Sequence, residues 1–181
     1  MKKFMNTAET LLAESLRGFA TAHADIVALH DSPVFVTRAG SPRRGKVALI
    51  SGGGSGHEPL HAGFVGRGML DAACPGQVFT SPTPDQMLAA ARSVDAGRGV
   101  LFIVKNYAGD TMNFQMASEM LDIENATVLV NDDVAMLENS FVVPDAALAD
   151  VPAALRTPAD QGPRTAGVGG EAPWLSQSAC G

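Results

Sequence analysis

Short apolar runs that end in glycine-rich or polar segments dominate the hydrophobic pattern of the chain. Residues 47–50, 100–104 and 126–130 form three such runs, and their length and boundaries are typical of strands buried in a parallel sheet. Apolar residues recur at helical spacing over 6–22 and 111–121 and on one stripe of 84–94, and each segment is predicted to be a helix. This alternation predicts an α/β domain with three layers, αβα, around a mainly parallel sheet.

The segments between these elements carry weaker patterns. Residues 26–30 and 33–37 are predicted to be extended, and the second is expected to be a strand or an edge strand. Residues 51–56 contain four glycines and are predicted to form a turn after the first apolar run. Residues 61–70 are expected to form a short helix diluted by glycine, and residues 71–79 an irregular connection.

The composition of the chain leaves the predicted α/β fold unchanged and argues against several classes of protein. The 181 residues suit one domain, the hydrophobic content of 46% argues against disorder of the whole chain, and the net charge of −6 argues against a nucleic-acid partner. The basic cluster Arg38, Arg43, Arg44 and Lys46 is expected to be a solvated loop. No signal-peptide core and no membrane-spanning apolar run is found, so we expect a soluble, cytoplasmic protein without a membrane partner.

The two cysteines, Cys74 and Cys180, match neither a metal-binding pattern nor a disulfide framework. Cys74 has no activating neighbour in the sequence, so a small buried thiol is favoured over a nucleophile.

The glycine segment 51–56 is followed directly by His57, at the predicted C-terminal end of a parallel strand. Open α/β sheets bind their ligands at that edge. The segment fits neither the P-loop, the dinucleotide fingerprint nor the nucleophile elbow, because each motif requires another residue at a fixed position. The pattern alone leaves open whether His57 is a reactive group or a solvent-exposed side chain on a tight turn.

A second predicted strand end brings further polar groups to the same edge. Lys105, Asn106 and Asp110 follow the run 100–104. Together with His57 they offer a base, a cation, an amide and a carboxylate, which can bind and deprotonate a small polyhydroxylated molecule. Alternatively, Asp110 is an N-cap and Lys105 is a surface charge. The pair 132–133 (Asp-Asp) offers ligands for Mg²⁺, but a turn or a cap is favoured and no metal site is predicted.

Residues 1 to about 139 resemble a known protein family. Four stretches resemble the substrate-binding subunit or domain of dihydroxyacetone (glycerone) kinases: KVALISGGGSGHEP, GMLDAACPGQVFTSPTPDQM, GVLFIVKNYAGDTMNF and VNDDVA. The resemblance implies a partial α/β substrate-binding domain over 1–139 and phosphorylation of a hydroxyl of dihydroxyacetone, or of glyceraldehyde in some members.

The resemblance also implies roles for individual residues. Gly54, Ser55, Gly56 and His57 would line the substrate pocket, His57 and Asp110 would assist deprotonation of the attacking hydroxyl, and Lys105 would contact substrate. No cofactor is expected on this chain. The phosphoryl donor would be ATP on another domain or a nucleotide-binding partner subunit that carries ADP, and homodimers occur in the family.

The chain departs from the family after residue 139. The family's covalent-anchor histidine has no counterpart here, since His23, His30 and His61 do not match it. Residues 140–181 are rich in Ala, Pro and Gly, resemble no part of the family and are expected to be poorly ordered. We hypothesise a truncated or frameshifted kinase chain whose activity is impaired. The alternative is a non-catalytic regulator of the same family that binds dihydroxyacetone.

Overall fold

The computed structural model describes residues 3–131. Three helices and six strands follow one another in the order α1 (Leu11–Ala22), β1 (Val27–Asp31), β2 (Val34–Arg38), β3 (Ala48–Ser55), β4 (Ala72–Val78), α2 (Pro84–Val94), β5 (Val100–Lys105), α3 (Ala108–Met120) and β6 (Asn125–Val130). A single 3₁₀ turn, Ala62–Phe64, lies between β3 and β4. The predicted boundaries of α2 are confirmed, because Pro84 starts the helix after a capping box formed by Thr83 and Gln86.

The six strands form one sheet in the order β1-β2-β4-β3-β5-β6. β4, β3, β5 and β6 are parallel to one another, whereas β2 runs antiparallel to both of its neighbours. The predicted mainly parallel α/β sheet is therefore confirmed. β2, expected as a strand or an edge strand, lies between β1 and β4.

Two hydrophobic clusters, one on each face of the sheet, make the three layers. α2 and α3 cover one face, where Ile50, Met87, Phe102 and Phe114 are completely buried. α1 and the segment 62–70 cover part of the other face, over a smaller cluster that includes Val36. This second layer leaves Ile103 of β5 only partly buried.

The prediction that residues 51–56 form a turn is wrong, because β3 continues to Ser55. Its three glycines pair in register with Cys74, Pro75 and Gly76 of β4. A side chain at Gly54 would collide with the backbone of the segment that follows β4, since its Cβ would lie 2.7 Å from the nitrogen of Thr80. Glycine is therefore required here by close packing inside the strand.

The prediction of an irregular connection over 71–79 is also wrong, because β4 occupies most of it. Proline has no backbone N–H to donate to a neighbouring strand, so within a sheet it needs a position where no partner is paired. β2 pairs with β4 only at Ala72 and Ala73, so Pro75 faces no partner strand on that side. There the Gln86 side chain donates hydrogen bonds to the carbonyls of Val34 and Pro75, at 2.6 and 2.9 Å.

Three helix predictions need smaller corrections. α1 begins at Leu11 rather than residue 6, and α3 begins at Ala108 rather than residue 111. The short helix expected over 61–70 is reduced to the 3₁₀ turn Ala62–Phe64, because glycine interrupts its pattern at residues 63, 66 and 68.

The basic cluster is only in part the solvated loop that was expected. Arg38 is 8% exposed and its guanidinium lies 2.9 Å from the carboxylate of Asp71, which is 3% exposed. Lys46 pairs with the other oxygen of the same carboxylate, and the backbone N–H of Leu49 donates to it at 2.9 Å. This buried ion cluster ties β2, β3 and β4 together at the end of the sheet opposite the carboxyl ends of β3 and β5.

Cys74 is fully buried, as expected of a structural thiol, and burial raises the pKa of its thiol. Residues 132–181, which include the whole of the predicted non-family tail and the expected domain boundary at 139/140, lie outside the described part of the chain. The division into 1–139 and 140–181 and the poor order of the tail therefore stay predictions.

Candidate functional site

A cavity of about 190 Å³ opens at the carboxyl ends of β3, β4 and β5. β3 is followed in the sheet by β4 on one side and by β5 on the other, so these ends meet where the direction of strand progression reverses. Open α/β sheets bind ligands at such a switch point. The residues lining it are Gly53, Gly54, His57, His61, Phe79, Thr80, Ser81, Lys105, Tyr107 and Asp110.

The three side chains predicted to carry the chemistry line this one cavity. His57 comes from the segment after β3, Lys105 ends β5, and Asp110 lies in the first turn of α3. The two-strand convergence expected from the sequence is therefore present. The alternative prediction that Asp110 caps α3 is wrong, because the N-cap position is occupied by Tyr107.

Asp110 is the buried acid of the cavity, with 4% of its surface exposed. Burial raises the pKa of its carboxyl, and this effect exceeds the opposing influence of a hydrogen bond to Ser81 and of the charges of Lys105 and His57. Within residues 3–131, Oδ1 of this carboxyl has no hydrogen-bond partner. That oxygen is available to accept a hydrogen bond from a ligand hydroxyl.

His57 lies at the exposed mouth of the cavity and contacts Phe79. The two rings meet edge to face, with centroids 5.1 Å apart and planes at 72°. Phe79 adopts φ +53°, which is unusual for a residue with a side chain, and its ring also lies against Gly56. The edge-to-face contact places the Phe79 ring beside His57 at the mouth of the cavity, where 69% of the surface of Phe79 is exposed.

His61 forms the inner wall and was not predicted as a site residue. Its side chain lies against Gly53, and the residue is 8% exposed. Burial lowers the pKa of its imidazole to about 4, with further lowering from the charges of Lys105 and His57. At neutral pH His61 is therefore an uncharged ring beside a lysine and a second histidine.

Two of the predicted substrate-binding residues do not line the cavity. Ser55 is buried and its hydroxyl donates to the carbonyl of Gly76 at 2.7 Å. The backbone N–H of Gly56 faces the carboxylate of Glu58, at 3.1 and 3.2 Å from its two oxygens. Their predicted contact with substrate stays a prediction without support from this geometry, whereas Gly54 is part of the lining. Asn106 instead donates to the side chain of Asn131, at 3.0 Å.

Sequence reasoning missed Thr80 and Ser81 because it missed the strand that delivers them. Both residues follow β4 and line the cavity. A prediction of residues 72–78 as a fourth parallel strand would have placed this Thr-Ser pair at the same sheet edge as His57. No comparable signal in the sequence marks His61, whose position depends on the path of the segment between β3 and β4.

The cavity combines a buried carboxyl, a cation and two imidazoles around a small volume. Such groups can hold several hydroxyls of one small polar molecule and accept a proton from one of them. Among residues 3–131, no group of three or more His, Cys, Asp or Glu side chains is placed to hold a metal ion. The Asp-Asp pair at 132–133 falls outside that range. None of the helices in the same range is both long and apolar enough to cross a bilayer.

Fold and cavity together define an α/β domain with a small polar cavity at the switch point of its sheet. Comparison with known proteins gives the family. The model described as "Dak1 domain" matches residues 17–145, and the chain belongs to this family. The resemblance to the substrate-binding subunit of dihydroxyacetone kinases is confirmed by the curated relatives that follow.

Two curated relatives are similar over almost the same stretch. The chain is 52% identical over 144 residues to the dihydroxyacetone-binding subunit DhaK of the PEP-dependent dihydroxyacetone kinase of Escherichia coli (strain K12), covering 78% of this chain and 40% of the relative. It is 51% identical over 144 residues to the corresponding subunit of the PTS-dependent kinase of Lactococcus lactis, covering 77% and 42%. The chain thus spans about two fifths of the length of these relatives.

Solved structures agree with this assignment of the fold. The dihydroxyacetone kinase of C. freundii in complex with AMP-PNP and Mg²⁺ superposes with a TM-score of 0.69 at 40% identity, covering 74% of this chain and 26% of that one. A structure described as the dihydroxyacetone kinase operon co-activator Dha-DhaQ gives a TM-score of 0.62 at 35% identity, covering 67% and 38%. The solved structures similar to this chain therefore include a kinase and a co-activator.

Proposed function

We propose that this chain binds dihydroxyacetone as the substrate-binding part of a dihydroxyacetone kinase. The observation that carries the proposal is that His57, Lys105 and Asp110, delivered by the ends of two neighbouring strands, line one cavity of about 190 Å³. That size suits a three-carbon ligand whose every carbon bears an oxygen. Glyceraldehyde has the same number of oxygens and is a second candidate ligand.

Each side chain has a distinct task in this proposal. Lys105 donates hydrogen bonds to a ligand oxygen, while the unpartnered Oδ1 of Asp110 accepts one from a ligand hydroxyl. Burial brings the pKa of Asp110 closer to neutrality, which makes the carboxylate a stronger base than an exposed one. His57, at the mouth, shares the removal of the hydroxyl proton.

The reaction proposed for the complete assembly is phosphoryl transfer to that hydroxyl. The hydroxyl oxygen forms a bond to phosphorus in line with the leaving oxygen of the donor, and its proton passes to His57 or Asp110. The donor is ATP on a separate domain or a partner subunit that holds a nucleotide, because no phosphate-binding motif was found in the sequence. We propose that the assembly works in the cytoplasm.

We propose that the side chains of this cavity hold dihydroxyacetone through its hydroxyls, by the hydrogen bonds given above, and not through a covalent bond to the carbonyl carbon. Ligand labelled with ¹³C at the carbonyl carbon tests this, since a ketone signal is expected in the bound state. A signal of a tetrahedral carbon bonded to nitrogen would contradict it.

Titration of the chain with dihydroxyacetone, followed by NMR or calorimetry, tests the binding proposal. Loss of a hydrogen bond in the cavity is expected to weaken binding about tenfold in His57→Ala and in Asp110→Asn. His30→Ala is the matched control, because His30 stacks on Phe35 in the β1–β2 hairpin and lies outside the cavity. Absence of saturable binding to the unaltered chain, or equal affinity in all three variants, would refute the proposal.

A second candidate function is regulation without catalysis, which the similarity to a kinase operon co-activator supports. A coupled assay with an ATP-dependent domain or a nucleotide-bearing subunit separates the two. Formation of dihydroxyacetone phosphate that is lost in Asp110→Asn supports the kinase proposal. Ligand binding without turnover under every donor supports the regulator. Light scattering of the purified chain tests the homodimer expected from the family.

A further inference from the structure

A second cavity adjoins the first. Its volume is about 370 Å³ and its lining is mainly apolar, including Leu49, Phe64, Leu70 and Ile103. Two residues, His61 and Lys105, line both cavities. The polar cavity and the larger apolar one therefore share a wall.

We infer that His61 determines specificity in the proposed site, because its ring separates the polar cavity from the apolar one and so limits the ligand to three carbons. The inference deepens the proposed function and rests on it. It assigns to His61 a role in excluding longer ligands, in addition to the hydrogen bonding proposed for His57 and Asp110.

The position of the His61 ring is fixed by its neighbours. A Cβ built on Gly53 would lie 2.5 Å from Cε1 and 3.1 Å from Nδ1 of the imidazole, so the ring rests directly on the backbone of β3. The backbone carbonyl of His61 accepts a hydrogen bond from Phe64 at 3.0 Å, which holds the main chain at the start of the 3₁₀ turn. With 8% of its surface exposed, the residue is largely enclosed by its neighbours.

The chemistry of the His61 ring is better suited to a steric barrier between the two cavities than to a hydrogen bond within the protein. Nδ1 is buried without a hydrogen-bond partner among residues 3–131, so no described bond of that nitrogen requires an imidazole. The ring is uncharged at neutral pH and lies between polar groups on one side and apolar side chains on the other. An apolar ring of similar size would be expected to keep the two cavities apart.

Removal of the ring should join the cavities and open the site to ligands with an apolar extension. The probe is 1,3-dihydroxyhexan-2-one, which keeps all three oxygens of dihydroxyacetone and adds three apolar carbons. Each methylene that becomes buried improves binding about fourfold. We therefore expect His61→Ala to shift the preference for the longer ketone over dihydroxyacetone by about 50-fold relative to the unaltered chain, where the longer ketone should bind more weakly than dihydroxyacetone.

Two further variants make the result specific. His61→Phe refills the space and is expected to restore the exclusion of the longer ketone, whereas His30→Ala, the same chemical change outside both cavities, should leave the preference unaltered. Circular dichroism establishes that each variant is folded. If His61→Ala is not folded, the smaller truncation His61→Val is compared with His61→Phe in its place.

The outcomes distinguish failure of the proposed function from failure of this inference alone. Binding of neither ketone to the unaltered chain would overturn the proposed function together with this inference. Binding of dihydroxyacetone with equal or better binding of the longer ketone to the unaltered chain would overturn the inference alone. The same holds if truncation at position 61 leaves the preference unchanged, or if His61→Phe accepts the longer ketone as well as His61→Ala does.

Discussion

Replacement of Gly53 by alanine is expected to destabilise the fold through one contact. The new methyl group would lie 2.5 Å from Cε1 of His61, well inside the optimal separation of about 3.5–4.0 Å for two carbon atoms. Because His61 is 8% exposed, its ring cannot move freely into solvent. Overpacking of this kind costs about 1–3 kcal/mol.

A second effect acts in the opposite direction. Alanine restricts the unfolded chain more than glycine does, which stabilises the folded state by about 0.4–1 kcal/mol where the native backbone accepts a side chain. The φ angle of Gly53 is not in the left-handed region, so this condition holds. The central values of the two effects leave a net loss of about 1 kcal/mol for Gly53→Ala.

The effect of Gly53→Ala on the free energy of unfolding should change sign when the His61 ring is absent. The three atoms nearest to the added Cβ all belong to that ring. In a His61→Ala background, Gly53→Ala is therefore expected to stabilise the fold by about 0.4–1 kcal/mol. The coupling energy between the two positions is then the overpacking term, about 2 kcal/mol.

Urea unfolding followed by far-ultraviolet circular dichroism gives the four free energies of this cycle. Gly18→Ala is the matched control, because a Cβ at Gly18 meets no atom within 4 Å, and alanine inside α1 should stabilise by about 0.5–1 kcal/mol. Equal effects of Gly53→Ala in the presence and absence of the His61 ring would refute the reasoning. The loss would then originate in the backbone of β3.

Three further predictions concern the titratable groups. Burial lowers the pKa of His61 to about 4, so the unfolded chain takes up a proton at a higher pH than the folded chain does. The free energy of unfolding should therefore decline by up to about 3 kcal/mol as the pH falls from 6.5 toward 4. His61→Phe should flatten this decline in urea midpoints, and an unchanged slope would contradict the prediction. Asp71→Asn leaves Arg38 and Lys46 without their shared carboxylate. It should lower the free energy of unfolding by about 3–5 kcal/mol in the same assay, and a loss under about 1 kcal/mol would contradict this prediction. Because burial raises the pKa of Asp110, Asp110→Asn should stabilise the fold at neutral pH, with an advantage that shrinks as acid protonates the wild-type carboxyl; destabilisation at neutral pH would contradict the account.

The elements predicted correctly are those whose own side chains determine their structure. α2 has a capping box, a proline at its start and a buried stripe of Met87, Ala90 and Ala91. β5 is a run of apolar residues in which Val100, Phe102 and Val104 are buried. For such segments the local pattern and the global packing agree, and the sequence is sufficient.

The elements predicted wrongly are built from residues with small side chains or none. The end of β3 and most of β4 consist of Gly, Ala, Ser, Cys and Pro, whose local preferences indicate turns. These strands form because each pairs with the other and because Gln86 supplies the hydrogen bonds that a further strand would give to Val34 and Pro75. Those contacts span tens of residues and leave no periodic signal.

The candidate site divides in the same way. His57, Lys105 and Asp110 were predictable because each follows a strand that carries a strong apolar signal. Ser81 depends on β4, and His61 depends on the segment between β3 and β4, so neither was accessible to pattern reasoning. The commitment of Ser55 to the carbonyl of Gly76 was hidden for the same reason, since it follows from the pairing of β3 with β4.

The burial of Cys74 allows the opening rate of the sheet to be measured by thiol labelling. Cys74 pairs with Gly52 at the centre of the sheet, so an alkylating reagent can reach the sulfur only after the inner strands separate. In a chain whose Cys180 is replaced by serine, the labelling rate would time that opening. When the strands reclose faster than Cys74 is alkylated, a ligand that binds only the folded state lowers the labelling rate by the factor 1 + [L]/Kd. Occupancy of the cavity could then be measured without a donor, a partner subunit or a dye.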